Sequence, residues 1–149
     1  VPLIFSWPGQ IKTNLQSDAL VELMDIAPTL LDAATIAKPS HMQGQSLWPL
    51  LTGKTDPRFH KPFVRSEYFD ALKENDGTRA TMYRDDRYKL VVYHGHDLGE
   101  LYDLNVDPGE FNDLWDDPNA SDIKNRLIHQ SFDATMLVQD LGPPRMGPM

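Results

Sequence analysis

The spacing of apolar and polar positions changes along this chain, from runs and helical repeats in its first third to alternation in its second half. Residues 1–9, VPLIFSWPG, form a continuous apolar run closed by Pro8 and Gly9. Such a run predicts a short strand buried on both faces of a largely parallel sheet. From Ser17 onward apolar residues recur at helical spacing, with Leu20, Leu23, Met24, Ala27, Leu30, Leu31 and Ala34 on one face. Ser17 is the predicted N-cap. Pro28 would break a single helix, so the pattern predicts a fresh one starting at Asp25. The Asp25 carboxylate then serves as cap, and Pro28 lies in the first turn, where no N–H partner is required. Asp25 is read as a cap rather than as a catalytic acid.

Residues 36–62 are rich in Pro, Gly and Ser and carry one apolar insert, SLWPLLTG. They read as a connector with a helical turn, and as a boundary. Beyond it the period falls to two. KPFVRSEYF, TRATMYRDD, RYKLVVYHG and LYDL each predict a strand, with Asp85-Asp86 at a tight hairpin. Tyr88, Leu90 and Val92 share one face, and Leu101 shares a side with Asp103. The second half is therefore predicted to be antiparallel. SDIKNRLIHQSFDATMLVQD follows as a helix with Ser121 as N-cap and Ile123, Leu127, Ala134, Leu137 and Val138 on its buried face. The tail LGPPRMGPM is expected to lie extended.

Charge and composition narrow the function. A formal charge of −8 and a pI near 4.9 argue against a nucleic-acid partner and against docking on an anionic membrane. The absence of cysteine excludes disulfides, thiolate zinc sites and a cysteine nucleophile, and leaves the redox compartment unread. No apolar run approaches the roughly 20 residues that span a bilayer. Opening within a strand pattern and without Met, the chain reads as a piece of something longer.

The acid-rich stretch 99–118, GELYDLNVDPGEFNDLWDDP, matches a calcium loop of the EF-hand type only in part. From Asp103, positions 3 and 5 are Asn105 and Asp107. Position 6 is Pro108 instead of Gly, and position 12 is Leu114 instead of Glu. The turn reading accounts for more: Asp107-Pro108-Gly109-Glu110 is turn chemistry, and Phe111, Leu114 and Trp115 are expected to tack the loop onto the core. His94 and His96 lie on one side of a strand end without a third ligand near in sequence, and read as a polar turn. His41, His60 and His129 are isolated. His60-Lys61 could line an anion pocket, with a surface role as the default. Arg65, Glu67, Tyr68 and Arg79 lie on or beside strands; one of them could reach a substrate, with ion pairing at the ladder edge as the default. No G-x-S-x-G elbow, P-loop or dinucleotide fingerprint is present.

The order VPLIFSWPG, LMDIAPTLLDAA, MQGQSLWPLLTG, YRDDRYKLVVYHG, GELYDLNVDPGEFNDLWDDP resembles the C-terminal portion of the sulfatase family, within the alkaline-phosphatase-like superfamily, from Val1 to about Leu127. The resemblance implies an α/β parent whose large domain ends near residue 50. Residues 51–149 would then form an α+β subdomain, a four-stranded antiparallel sheet packed on a C-terminal helix. It implies a parent that hydrolyses sulfate esters of small molecules or carbohydrates, using calcium and a formylglycine made within C/S-x-P-x-R, and a periplasmic or secreted location. This chain has no cysteine and no Ser followed by x-P-x-R, so no catalytic residue carries over. The chain is expected to be inactive alone. It would shape the outer pocket through Arg65, Tyr68 and Arg79, and partner with the remainder of the parent or with copies of itself through strand edges. The alternatives are a stand-alone acidic or His-based metal-binding module, and a phosphodiesterase or phosphonate hydrolase of the same superfamily.

Overall fold

The period-two half folds into a four-stranded antiparallel meander, β1 (Val64–Phe69), β2 (Arg79–Arg84), β3 (Tyr88–Tyr93) and β4 (Leu98–Asp103), in the order β1-β2-β3-β4. The structure is a computed structural model and describes residues 2–70 and 77–138. The expected extended tail, 141–149, lies wholly outside the described residues, as does Val1. Register places Arg65, Tyr83, Leu90 and Leu101 side by side across all four strands. The β2–β3 turn is the predicted one: the Asp85 carboxylate accepts the N–H groups of Arg87 and Tyr88 and fixes the reversal.

One face of the sheet receives helix α3 (Ser121–Met136). The contiguous core consists of Tyr83, Tyr88, Leu90, Leu101, Ala120, Leu127 and Ala134, with Leu114, Trp115 and Ile123 packed against it. Ser121 is the first helical residue rather than the cap. A 3-10 turn, Pro118–Ala120, precedes it, and the Asp117 side chain accepts the Asn119 N–H there. Leu137 is 85% exposed because the helix stops at Met136, two residues before the predicted face is complete.

The first third departs most from its pattern. Residues 2–9 form no strand, and Ile4 is 86% exposed. A strand exists only through its ladder, and no described residue pairs with this run. Residues 17–22 are not helical. Ser17 instead accepts the Ala19 N–H in a local turn and donates to the Pro57 carbonyl. A 3-10 turn (Leu23–Asp25) leads into α1 (Ile26–Ala33), where Pro28 takes a first-turn position as predicted. Thr35, at φ 57, ends α1, with the Ile36 N–H reaching back to the Leu31 carbonyl. The buried side of this segment is Asp25, Pro28 and Thr29, whereas Leu23, Met24 and Leu30 point outward. The predicted turn in SLWPLLTG is α2 (Trp48–Leu51), closed by Gly53 at φ 74 with the Lys54 N–H on the Pro49 carbonyl.

Gly99 on β4 lies beneath the Trp115 ring, and a Cβ there would fall 2.3 Å from it. Gly99→Val is expected to dislodge the indole and cost about 1–3 kcal/mol. The check is a lowered urea midpoint together with a red-shifted tryptophan emission. An unchanged midpoint would mean that Trp115 does not pack as described.

Candidate functional site

The most enclosed polar group among the described residues is the carboxylate of Asp25, at 0% exposure. Its Oδ1 accepts the Gln45 N–H and the Lys61 Nζ, each at 2.8 Å. Its Oδ2 accepts the Glu22 N–H at 2.9 Å and lies 3.5 Å from His60 Nε2. Lys61 also donates to Glu22 Oε2 at 2.6 Å, and Glu22 Oε1 accepts the Arg65 N–H of β1 at 2.8 Å. One turn on, the Thr29 hydroxyl donates to the Asp25 carbonyl and accepts the Leu47 N–H. Asp25 thus precedes α1 as predicted, but its carboxylate does not cap that helix. It closes the preceding 3-10 turn and gathers donors from three stretches of chain.

The surroundings set its charge. Burial pushes the Asp25 carboxyl up, yet the Lys61 hydrogen bond and the Gln45 and Glu22 N–H groups together outweigh it and hold the group below its ordinary value. For His60, burial dominates and lowers the imidazole below 6.5, with Asp25 opposing. His60 and Lys61 therefore do not sit on the surface or line an anion pocket. They converge on a buried anion, with the His60 side chain only 7% exposed. A carboxylate with both oxygens engaged by donors is suited to holding segments together, not to proton transfer with a substrate. The sequence hid this because 36 positions separate Asp25 from Lys61. The available signal was a Thr one helical turn after an Asp, DIAPT, and a His-Lys pair just before a strand.

The acid-rich stretch is built into the sheet. Asp103 is bound by the Arg87 guanidinium through Nε and through Nη2, the latter at 2.7 Å, and this pairing holds its carboxyl below the usual range. Asp113 accepts the Leu101 and Trp115 N–H groups, so it occupies the outer edge of β4. Glu100 accepts the hydroxyls of Tyr93 and Tyr102, and burial followed by the nearby Glu100 pushes Tyr102 up to about 12. The turn reading thus holds for the backbone, but several acids serve as fixed acceptors rather than solvated groups. Phe111 is 93% exposed and does not tack the loop down; Leu114 and Trp115 do.

His94 Nε2 meets the Thr81 hydroxyl at 3.0 Å in the β3–β4 turn, and His96 donates its N–H to the Tyr93 carbonyl. Among the described residues no group of three or more His, Asp or Glu is disposed to hold a metal ion. The residues present therefore do not fit the calcium that the resemblance assigns to the parent. Arg65 lies on the helix side of β1 and donates to Glu67 at 2.9 Å and to the Thr135 hydroxyl of α3 at 3.1 Å. Tyr68 points to the opposite face by strand alternation, opposite Ala80. Arg79 is exposed at the start of β2, paired in register with Phe69. The sheet does not bring the three side chains to one place.

A family model described as N-sulphoglucosamine sulphohydrolase, C-terminal, matches residues 1–136. The delta 4,5-hexuronate-2-O-sulfatase of Bacteroides thetaiotaomicron is 39% identical over 125 residues, covering 83% of this chain and 26% of that enzyme. Among solved structures, a 2-O GAG sulfatase is 36% identical at a TM-score of 0.69, covering 78% of this chain and 25% of its own. The phosphonate monoester hydrolase of Silicibacter pomeroyi is 26% identical at a TM-score of 0.71, covering 83% and 26%. The chain spans about a quarter of the length of the relatives it matches.

Proposed function

Since this chain belongs to the sulfatase family, we propose that it is the C-terminal portion of an enzyme that hydrolyses sulfate esters, with sulfated carbohydrate as the substrate class. The family match over residues 1–136 carries that reading, and the hexuronate sulfatase supports the substrate class. Its surface supports the role of a completing part. Ile4, Trp7, Leu23, Leu30 and Ile36 expose large apolar side chains in one stretch of sequence. A cleft of about 840 Å³ also runs between residues 2–21 and α2. Apolar surface of this kind marks a face made to be covered, and the occupant we assign is the preceding part of the parent. Calcium and formylglycine belong to that part, where they would supply charge neutralisation and the nucleophile. Arg65, Tyr68 and Arg79 are the residues we assign to the outer pocket, reaching it singly rather than as one cluster, Arg65 and Arg79 from one face of the edge strand β1 and its neighbour and Tyr68 from the other.

Self-association of the isolated chain would use these exposed apolar side chains together with the strand edges, each of which is bonded at one residue. Asp113 occupies β4 at Leu101, and Glu22 occupies β1 at Arg65. Incubated with an aryl sulfate and calcium, the isolated chain is expected to release no sulfate, whereas the full-length parent should turn the ester over. Hydrolysis by the chain alone would overturn the assignment of chemistry to the preceding part. The phosphonate hydrolase neighbour favours a second reading, a phospho-ester or phosphonate hydrolase of the same plan. Full-length protein that cleaves a phenylphosphonate ester and leaves the aryl sulfate intact would establish it.

A further inference from the structure

The contiguous apolar core lies wholly within the sheet, α3 and the turn before it. The α1 region meets β1 through a polar seam instead. Lys61 bridges Glu22 and Asp25, Glu22 holds the Arg65 N–H of β1, and Asp25 holds the Gln45 N–H. His60 is enclosed in this seam. Its Nε2 is buried without a hydrogen-bond partner, 3.5 Å from Asp25 Oδ2.

We propose that His60 is an acid-sensitive release for the seam between the α1 region and β1, closed while the imidazole is neutral and opened by its protonation. The groups facing it are Asp25 from the 3-10 turn, the Gln45 backbone and its own neighbour Lys61, which is itself paired with Glu22. Asp25 and the Gln45 backbone favour the charged ring. Asp25 is already satisfied by Lys61 and two N–H groups, however, and Lys61 repels a second cation. Burial is the largest influence and opposes the charge.

The sign follows from proton counting. Below 6.5 an opened seam, with a hydrated His60, binds a proton that the closed seam resists. The closed form therefore has its full advantage above 6.5 and loses it as pH falls toward the lowered value. Within that window each pH unit multiplies the open fraction about tenfold. Asp25, also lowered, keeps its contribution above 3.8, so it does not reverse the trend between pH 7 and 5.

The test uses the 149-residue chain and reads no activity, so it succeeds or fails independently of the sulfatase assignment. Imidazole resonances followed by NMR from pH 8 to 4 should show His60 titrating below 6.5. Amide exchange at Glu22, Gln45 and Arg65, corrected for intrinsic rate, should speed up between pH 7 and 5, and His60→Gln should remove that acceleration. A His60 that titrates at 6.5 or above would overturn the proposal. So would acceleration that persists in His60→Gln. Should that variant not fold, the titration of the unaltered chain decides alone.

Discussion

Asp25→Ala is expected to lower the stability of the chain by about 3–5 kcal/mol, the range seen when one member of a buried ion pair is removed. The size comes from what is left behind rather than from the attraction lost. Lys61 would retain Glu22 but lose the partner at 2.8 Å, and the Gln45 and Glu22 N–H groups would lose their acceptor in a buried place. Asp25→Asn should recover part of the loss, because an amide oxygen still accepts one N–H. Removing the stranded cation in the same chain, Asp25→Ala with Lys61→Met, should cost less than the sum of the two single changes. Urea unfolding followed by circular dichroism measures all four. A loss below about 1 kcal/mol for Asp25→Ala would show the cluster to be open to water, and would remove the ground for an acid-sensitive seam as well.

That cluster also marks the limit of what the sequence made legible. The alternation in RYKLVVYHG was enough to place Tyr88 and Leu90 in the core, because strand period is local and one face is buried. The hairpin at Asp85-Asp86 was legible for the same reason, since turn chemistry acts over a few residues. VPLIF gave the right composition for a strand but no strand, because pairing depends on a neighbour that composition does not contain. The apolar face from Leu20 to Ala34 had helical spacing, yet Asp25, Pro28 and Thr29 are the buried residues. A periodicity argument assigns burial by hydropathy and is blind to a polar network joining positions 22, 25, 45, 60 and 61. For the rim candidates, Arg65 was identifiable as a strand residue, but its attachment to Thr135 of α3 depended on the packing of helix against sheet.

Leu127→Ala should show the other large loss, about 2–5 kcal/mol, the range for deleting a buried leucine side chain. Leu127 is 0% exposed and sits where α3 meets β2 and β3. The core around it includes Leu90 and Leu101, themselves 1% and 0% exposed. The sheet is a four-strand meander anchored by its own ladder, and α3 is one helix, so the cavity has little freedom to collapse. The adjacent Ile128 supplies the control within the same helix turn. It is 38% exposed, so Ile128→Ala removes a comparable volume from a partly hydrated place, while alanine's higher helix propensity works in favour of the variant. The two changes should therefore differ several-fold in cost although they are neighbours with isomeric side chains. Equal losses would mean that α3 is rotated about its axis from the packing described, which would also displace Thr135 from Arg65.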